Sequence, residues 1–297
     1  MVPGPGGPHA GGGRVTRATT LAAPRRRVET TAAVTVGAAV LTLYLPVLRD
    51  LVGVWLLVPY YSYGFVVPLF SAYLAWDVLE ADAHGDEAAQ SEPSGFVMMA
   101  AGLATLGVGI AAGSLTLRAL SLPVVLMGLA LATLGAVPAR RLAFPIGFLV
   151  FMAPLPDGVL PALSLPLQQL AAVVSEHALR LLGVPVTRAD LFLVLPSVTL
   201  HVTEACNGLR FLFAMIVIAT AFAGTTQRHW RGAAVLVVAG VVLAIVANLG
   251  RVIGTGIMAE LWGARAAMGI SHLVWGKVVY GLALVPFVAL VLFMRRR

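Results

Sequence analysis

The sequence predicts an all-α polytopic membrane protein with about eight transmembrane helices and a small extracytoplasmic cap, an amphipathic helix plus a β-hairpin. Three observations carry that prediction. Hydrophobic residues make up 59% of the 297 positions and charged residues 11%, and mean hydropathy is +0.93, a balance foreign to soluble domains. The apolar residues gather into runs, most of them near the roughly 20 residues that cross a bilayer core. Arg and Lys sit in short groups beside those runs, so the formal net charge of +7 reads as orientation signalling and not as a nucleic-acid surface.

Taken in order, residues 1–30 are rich in Gly, Pro, Ala, Thr and Arg without apolar periodicity. Such a segment buries too little surface to offset its ordering entropy, so a disordered tail is expected there and a single transmembrane domain over 31–297. Arg25, Arg26 and Arg27 precede the first apolar run, 32–48, which lacks the small-residue cleavage site of a signal peptide and is read as a span. Further runs cover 65–79, 96–112, 119–137, 142–153, 208–223, 233–256 and 273–294. With a cytoplasmic N-terminus the inner loops hold Arg140 and Arg141, Arg228 and Arg231, and the arginines at 295–297, as the positive-inside rule requires. The acidic loop of Asp82, Asp86, Glu87 and Glu92 is the exception, and acidic residues weigh little in orientation.

Between the fifth and sixth runs, 166–182 places Gln169, Glu176 and Arg180 at helical spacing opposite leucines and valines, the pattern of an amphipathic interfacial helix. Glu176 and Arg180 form a supporting i,i+4 pair. From Leu191 the chain reads as two short strands around Pro196-Ser197. Val198, Leu200 and Val202 alternate there with Thr199, His201 and Thr203,, leaving an edge with which an extended substrate could pair.

That strand leads into Glu204-Ala205-Cys206-Asn207-Gly208-Leu209-Arg210, which holds the sole cysteine. A lone thiol forms no internal disulfide and is most often a small buried hydrophobe. A thiol at a helix N-terminus or beside a cation is a stronger nucleophile, because both favour the thiolate. Arg210 follows by four residues, one turn on along a helix. The topology puts Cys206, Arg251 and His272 at similar depth on one side, with Asn248 one turn before Arg251. An arginine inside an apolar run either snorkels to the headgroups or has a role. Together the three supply a nucleophile, a proton carrier and a cationic stabiliser, the set that acyl transfer needs. Scattered His201, His229 and His272 give no metal-ligand spacing, and the glycines at 4–13 follow no strand and open no helix, so they form no phosphate loop. No cofactor, metal or nucleic-acid partner is expected.

The chain resembles the exosortase and archaeosortase family of integral membrane transpeptidase-like proteins. The resemblance rests on Tyr61-Ser62-Tyr63-Gly64-Phe65-Val66-Val67-Pro68, on Phe148-Leu149-Val150-Phe151-Met152-Ala153-Pro154-Leu155-Pro156, and on Pro166-Leu167-Gln168. It continues through 204–210, 248–251 and His272 before Gly276. It implies a catalytic Cys206 with Arg251 and His272. Arg210, Asn207, Asn248 and Glu204 stand as supporting or substrate-binding candidates. It also implies a tripartite C-terminal sorting signal of exported proteins as substrate, such as that of PEP-CTERM proteins: a short motif, a hydrophobic span and a basic tail. The substrate would reach the enzyme through the membrane lipid. Transfer of the acyl group to an amine acceptor of unknown identity gives transpeptidation; transfer to water gives proteolysis. Asn207 stands where the family often has Ser, and Tyr63 where it often has His. The competing class is a non-catalytic membrane protein, a transporter or assembly scaffold, which calls for charged or broken elements at mid-depth.

Overall fold

The computed structural model describes residues 22–82, 92–265 and 269–295. The chain divides into two compact units, Met1–Leu45 and Pro46–Arg297. Over its described residues the first is the N-terminal part of one helix. Of the stretch read as a disordered tail, residues 1–21 lie outside the described chain and the rest, from Ala22, is helical. Asp86, Glu87, Arg296 and Arg297 also lie outside it.

The elements run α1 (Ala22–Leu57), a 3₁₀ helix (Pro59–Phe65), α2 (Val66–Asp82), α3 (Ser94–Ala111) and α4 (Leu115–Leu134). Two short helices follow, α5 (Ala136–Arg141) and α6 (Ala143–Phe148), then a 3₁₀ turn (Leu149–Met152) and α7 (Val159–Leu181). Strands β1 (Thr187–Ala189), β2 (Phe192–Val194) and β3 (Thr199–His201) precede a 3₁₀ turn (Glu204–Cys206), α8 (Leu209–Thr226), α9 (Trp230–Trp262) and α10 (Gly269–Arg295). Among the described residues, 8 helical segments are long and apolar enough to cross a membrane. The protein is therefore an all-α multi-pass membrane protein with a small sheet.

Seven of the expected spans coincide with those segments, and the fifth does not. Residues 142–153 form α6 and its 3₁₀ turn, an apolar stretch over Ala143–Met152 too short to count as a span. It stops at Ala153, which is extended (φ −75°, ψ 135°), the conformation a following proline favours. The helix expected over 166–182 instead begins at Val159 and continues through Pro166, which gives it the length and hydropathy of a span. The hairpin is also larger than expected. β1 adds a third antiparallel strand, in the order β1-β2-β3.

The contacts of α7 explain how it serves the site. Just before it, the Leu155 N–H donates to the Tyr61 hydroxyl at 3.0 Å, in the turn that follows α1. Near its start Ser164 touches the loop before α8. Near its end Glu176 accepts from the Arg188 N–H at 3.1 Å and pairs with Arg180 at 2.7 Å, fixing β1. Leu167 and Ala244 line one small cavity, and Leu179 packs on Gly256, so α7 runs parallel to the C-terminal half of α9. Its buried Ala171, Ala172 and Leu179 share one core with Leu193, Val202 and Val252. The sheet is thereby clamped against α9. The 33 residues of α9 reach about 50 Å at the helical rise, well beyond a bilayer core of roughly 30 Å. α8 packs antiparallel to α9, with Gly240 against Met215 and Ala219, and Gly208 against Asn248. Beyond Asn248, α9 outruns α8, and that projecting part carries the candidate site.

Candidate active site

The cysteine loop is built by a chain of tight turns. The Thr203 N–H donates to the His201 carbonyl at 3.0 Å and the Cys206 N–H to the Thr203 carbonyl at 2.8 Å, which folds Glu204–Cys206 into a single 3₁₀ turn. Gly208 then takes a left-handed conformation, φ 78°, and α8 starts at Leu209. This corrects the sequence expectation that Cys206 and Arg210 share one helical face. The left-handed residue between them breaks the i,i+4 relation. Arg210 is exposed and does not line the cavity that holds the thiol.

Three distant segments hold that loop in place: α9, α7 and the 3₁₀ helix after α1. The Asn248 side-chain amide donates to the Cys206 carbonyl at 2.9 Å. Asn248 also lies against Gly208, where a Cβ would meet its Cγ at 2.7 Å, so the position demands glycine for both space and φ. Asn207, 3% exposed, caps α8 by accepting from the Leu209 N–H at 2.9 Å. Its amide donates to Ser164 Oγ at 2.7 Å and to the Tyr60 hydroxyl at 3.3 Å. Gln168 donates to the same Ser164 Oγ at 2.7 Å. The Tyr60 hydroxyl in turn donates to the Glu204 carbonyl at 3.3 Å. Glu204 is exposed and enters this network through its backbone. The Trp55 indole donates to the Met152 carbonyl at 3.1 Å. Tyr60, next to the early Tyr-Ser motif, and the Pro-Leu-Gln motif, through Ser164, thus reach the cysteine loop, and the Pro-flanked motif near 150 bonds the Tyr-Ser motif through Leu155 and Tyr61.

Arg251 and His272 come from α9 and the first turn of α10. Arg251 is 8% exposed, and its guanidinium lies over the Phe211 ring at 5.4 Å, a cation–π placement. Its neighbour Val252 and, one turn on, Thr255 line the cavity that holds the thiol, while Arg251 itself does not. Its carbonyl accepts from the Trp275 indole at 3.0 Å and from the Thr255 hydroxyl at 2.8 Å. That same hydroxyl oxygen lies 3.3 Å from His272 Nδ1. Thr255 has one hydrogen to give; assigned to the Arg251 carbonyl, it makes Nδ1 of His272 the donor in the second bond. The neutral imidazole then keeps its basic lone pair on Nε2. Cys206, Thr255 and His272 line one cavity of about 380 Å³, to which β3 also contributes. The Thr203 hydroxyl lies 4.0 Å from Cys206 Sγ, the long limit for sulfur.

Sequence reasoning missed Thr255, Trp275, Tyr60 and Ser164. Thr255 was within reach of it, four residues after Arg251 and so on the same helical face. Tyr60 and Ser164 meet Asn207 only through tertiary folding, and no spacing announces them.

A family model described as transmembrane exosortase matches residues 55–289, a range that takes in every one of these groups. Searches of curated proteins and of solved structures returned no match.

Proposed function

Because the chain belongs to the transmembrane exosortase family, we propose that it is a membrane-embedded cysteine peptidase or transpeptidase, with Cys206 as nucleophile and the tripartite C-terminal sorting signals of exported proteins, of the PEP-CTERM kind, as substrates. It works in the cytoplasmic membrane with its site on the extracytoplasmic face. The observation that carries this reading is the cavity that Cys206 shares with His272, with the Arg251 carbonyl joined to His272 through the Thr255 hydroxyl. The position of the site supports it over transport. Arg251 and Thr255 lie where α9 outruns α8, not at mid-span, which is where a substrate's own membrane span would present its flanking motif.

In the mechanism, the Cys206 thiol passes its proton to His272 Nε2 and the thiolate attacks the scissile carbonyl carbon. The tetrahedral oxyanion is held by the Arg251 guanidinium. As the C–N bond breaks, the imidazolium gives its proton to the departing amine, leaving a thioester on Cys206. An amine acceptor or water then attacks the thioester. His272 takes the proton of that nucleophile and returns it to the departing thiolate. Arg210, exposed and outside the cavity, has no part in these steps. Asn248 and Asn207 serve by fixing the loop that presents the thiol.

The test is to co-express the full chain with an exported, epitope-tagged protein ending in a PEP-CTERM-type signal. A shortened product, cut between the short motif and the hydrophobic span, is expected only when the chain is present. An uncut substrate, fully inserted beside an abundant folded enzyme, would contradict the reading. Thr255 provides a finer check on the proton path. Thr255→Val removes the hydroxyl that sets the His272 tautomer while keeping the shape, and is expected to slow processing about tenfold, the worth of one hydrogen bond. Thr255→Ser restores the hydroxyl and is expected to process near the parental rate. Equal rates in both variants would show that the hydroxyl has no such role.

A further inference from the structure

The cavity beside Cys206 has one wall that the mechanism does not use, the outer edge of β3. In the antiparallel ladder Leu200 pairs with Leu193. The Leu195 N–H donates to the Val198 carbonyl, and the Val202 N–H to the Leu191 carbonyl, both at 2.9 Å. Val198, Leu200 and Val202 therefore turn their backbone groups toward β2, and the alternate residues Thr199 and His201 turn theirs away. The His201 carbonyl is occupied by the Thr203 N–H. The edge thus presents the Thr199 N–H, the Thr199 carbonyl and the His201 N–H.

These groups border the cavity that holds the thiol. Thr199 and His201 both line it, although the His201 ring stacks on Phe192 at 4.4 Å, on the face away from Leu193 and Leu200. What His201 offers the cavity is therefore its main chain. A bare strand edge is usually blunted by charge, proline or a bulge. β3 and its flanks, Val198-Thr199-Leu200-His201-Val202-Thr203, carry no Lys, Arg, Asp, Glu or Pro, and β-branched residues hold four of the six places, which suits strand pairing. Polar backbone at a bilayer boundary needs a partner. Val252, Thr255 and His272 line the same cavity of about 380 Å³, which leaves room for an added chain.

We propose that β3 receives the substrate as a fourth strand: an extended peptide segment next to the scissile bond pairs its main chain with Thr199 and His201 and lays an apolar side chain against Leu193, Leu200 and Val252. The pairing supplies affinity independent of side chains, and the apolar wall supplies selectivity at alternate positions. This deepens the peptidase reading and rests on it for the identity of the peptide. The pairing itself is testable without any chemistry at the thiol.

The full-length Cys206→Ala protein in lipid nanodiscs is mixed with acetyl-Ala-Leu-Ala-Leu-Ala-amide, and hydrogen exchange over 198–203 is followed by mass spectrometry. Exchange at the Thr199 and His201 amides is expected to slow about tenfold, the equivalent of one hydrogen bond. The same peptide N-methylated at alternate residues partitions into lipid equally well but cannot pair, and is expected to give no slowing. Thr199→Pro deletes an N–H that the β2 ladder does not use and is expected to weaken binding about tenfold, while Thr199→Val binds as the parent does. Retained protection at Leu200 and Val202 in the proline variant shows that the ladder is intact. Unchanged exchange with the plain peptide, or equal slowing by the N-methylated one, overturns the proposal. Since the variant has no thiol, either outcome stands apart from whether Cys206 is the nucleophile.

Discussion

Cys206→Ala is expected to lower substrate processing by about 10⁴-fold or more, the scale on which loss of a nucleophile is felt in hydrolases that act through a covalent intermediate. The effect is to be read with the tagged substrate, at matched enzyme levels. The cost falls on chemistry and not on folding. The side chain is only half-buried, and the bonds that shape its loop run through the Cys206 N–H and carbonyl, which alanine keeps. Processing within a fewfold of the parent would return Cys206 to the inert buried thiols. Serine keeps the shape as well but is a far weaker nucleophile without a lowered pKa, so Cys206→Ser is expected to resemble alanine.

Arg251→Lys is expected to cost about a hundredfold, the lower range for losing one oxyanion donor, although the formal charge is unchanged. Arginine here does three things that lysine does not reproduce. Its planar cation lies over Phe211 at 5.4 Å, its fork can hold two oxygens at once, and its weaker hydration suits a site that is 8% exposed,. Gly276 leaves room beside it: a Cβ there would come within 3.3 Å of the Arg251 Cδ and 3.8 Å of a guanidinium nitrogen. A residue that merely snorkels to headgroups tolerates lysine. Full processing by the lysine variant would assign Arg251 to that anchoring role.

Most of the membrane fold was legible in the sequence because lipid imposes a simple rule, a run of apolar residues long enough to cross. The rule faltered at α6 and α7, for opposite reasons. The run at 142–153, which already stopped at Pro154, was too short for a span, and composition alone could not see that α7 carries on through Pro166 toward the projecting end of α9. The strand pattern around Pro196-Ser197 was legible, while β1 was not, since Thr187-Arg188-Ala189 is too short and polar to show a period. It is held instead by Glu176 on α7. At the candidate site, Cys206, Arg251 and His272 were singled out by residue type and depth; the fold sets Cys206 and His272 on one cavity and joins Arg251 to His272 through Thr255. Arg210 was misplaced because helical spacing was counted through Gly208, whose left-handed conformation ends that count. The Asn-Gly pair is itself a turn signal, so the clue was present. The hydrogen bonds from Asn207 to Tyr60 and Ser164 span 147 and 43 positions, a separation that local patterns do not encode.

The central claim is a covalent thioester on Cys206, and the most direct measurement is to trap it. Enzyme and tagged substrate are mixed in lipid nanodiscs, quenched in acid within the first turnover, and analysed by intact mass and by fragment mapping. The predicted result is an adduct on Cys206 with the mass of the substrate's N-terminal portion. It is released by neutral hydroxylamine, as a thioester is, and absent in Cys206→Ala. Substrate turnover without any hydroxylamine-sensitive adduct on Cys206, or with the alanine variant equally active, would contradict the account.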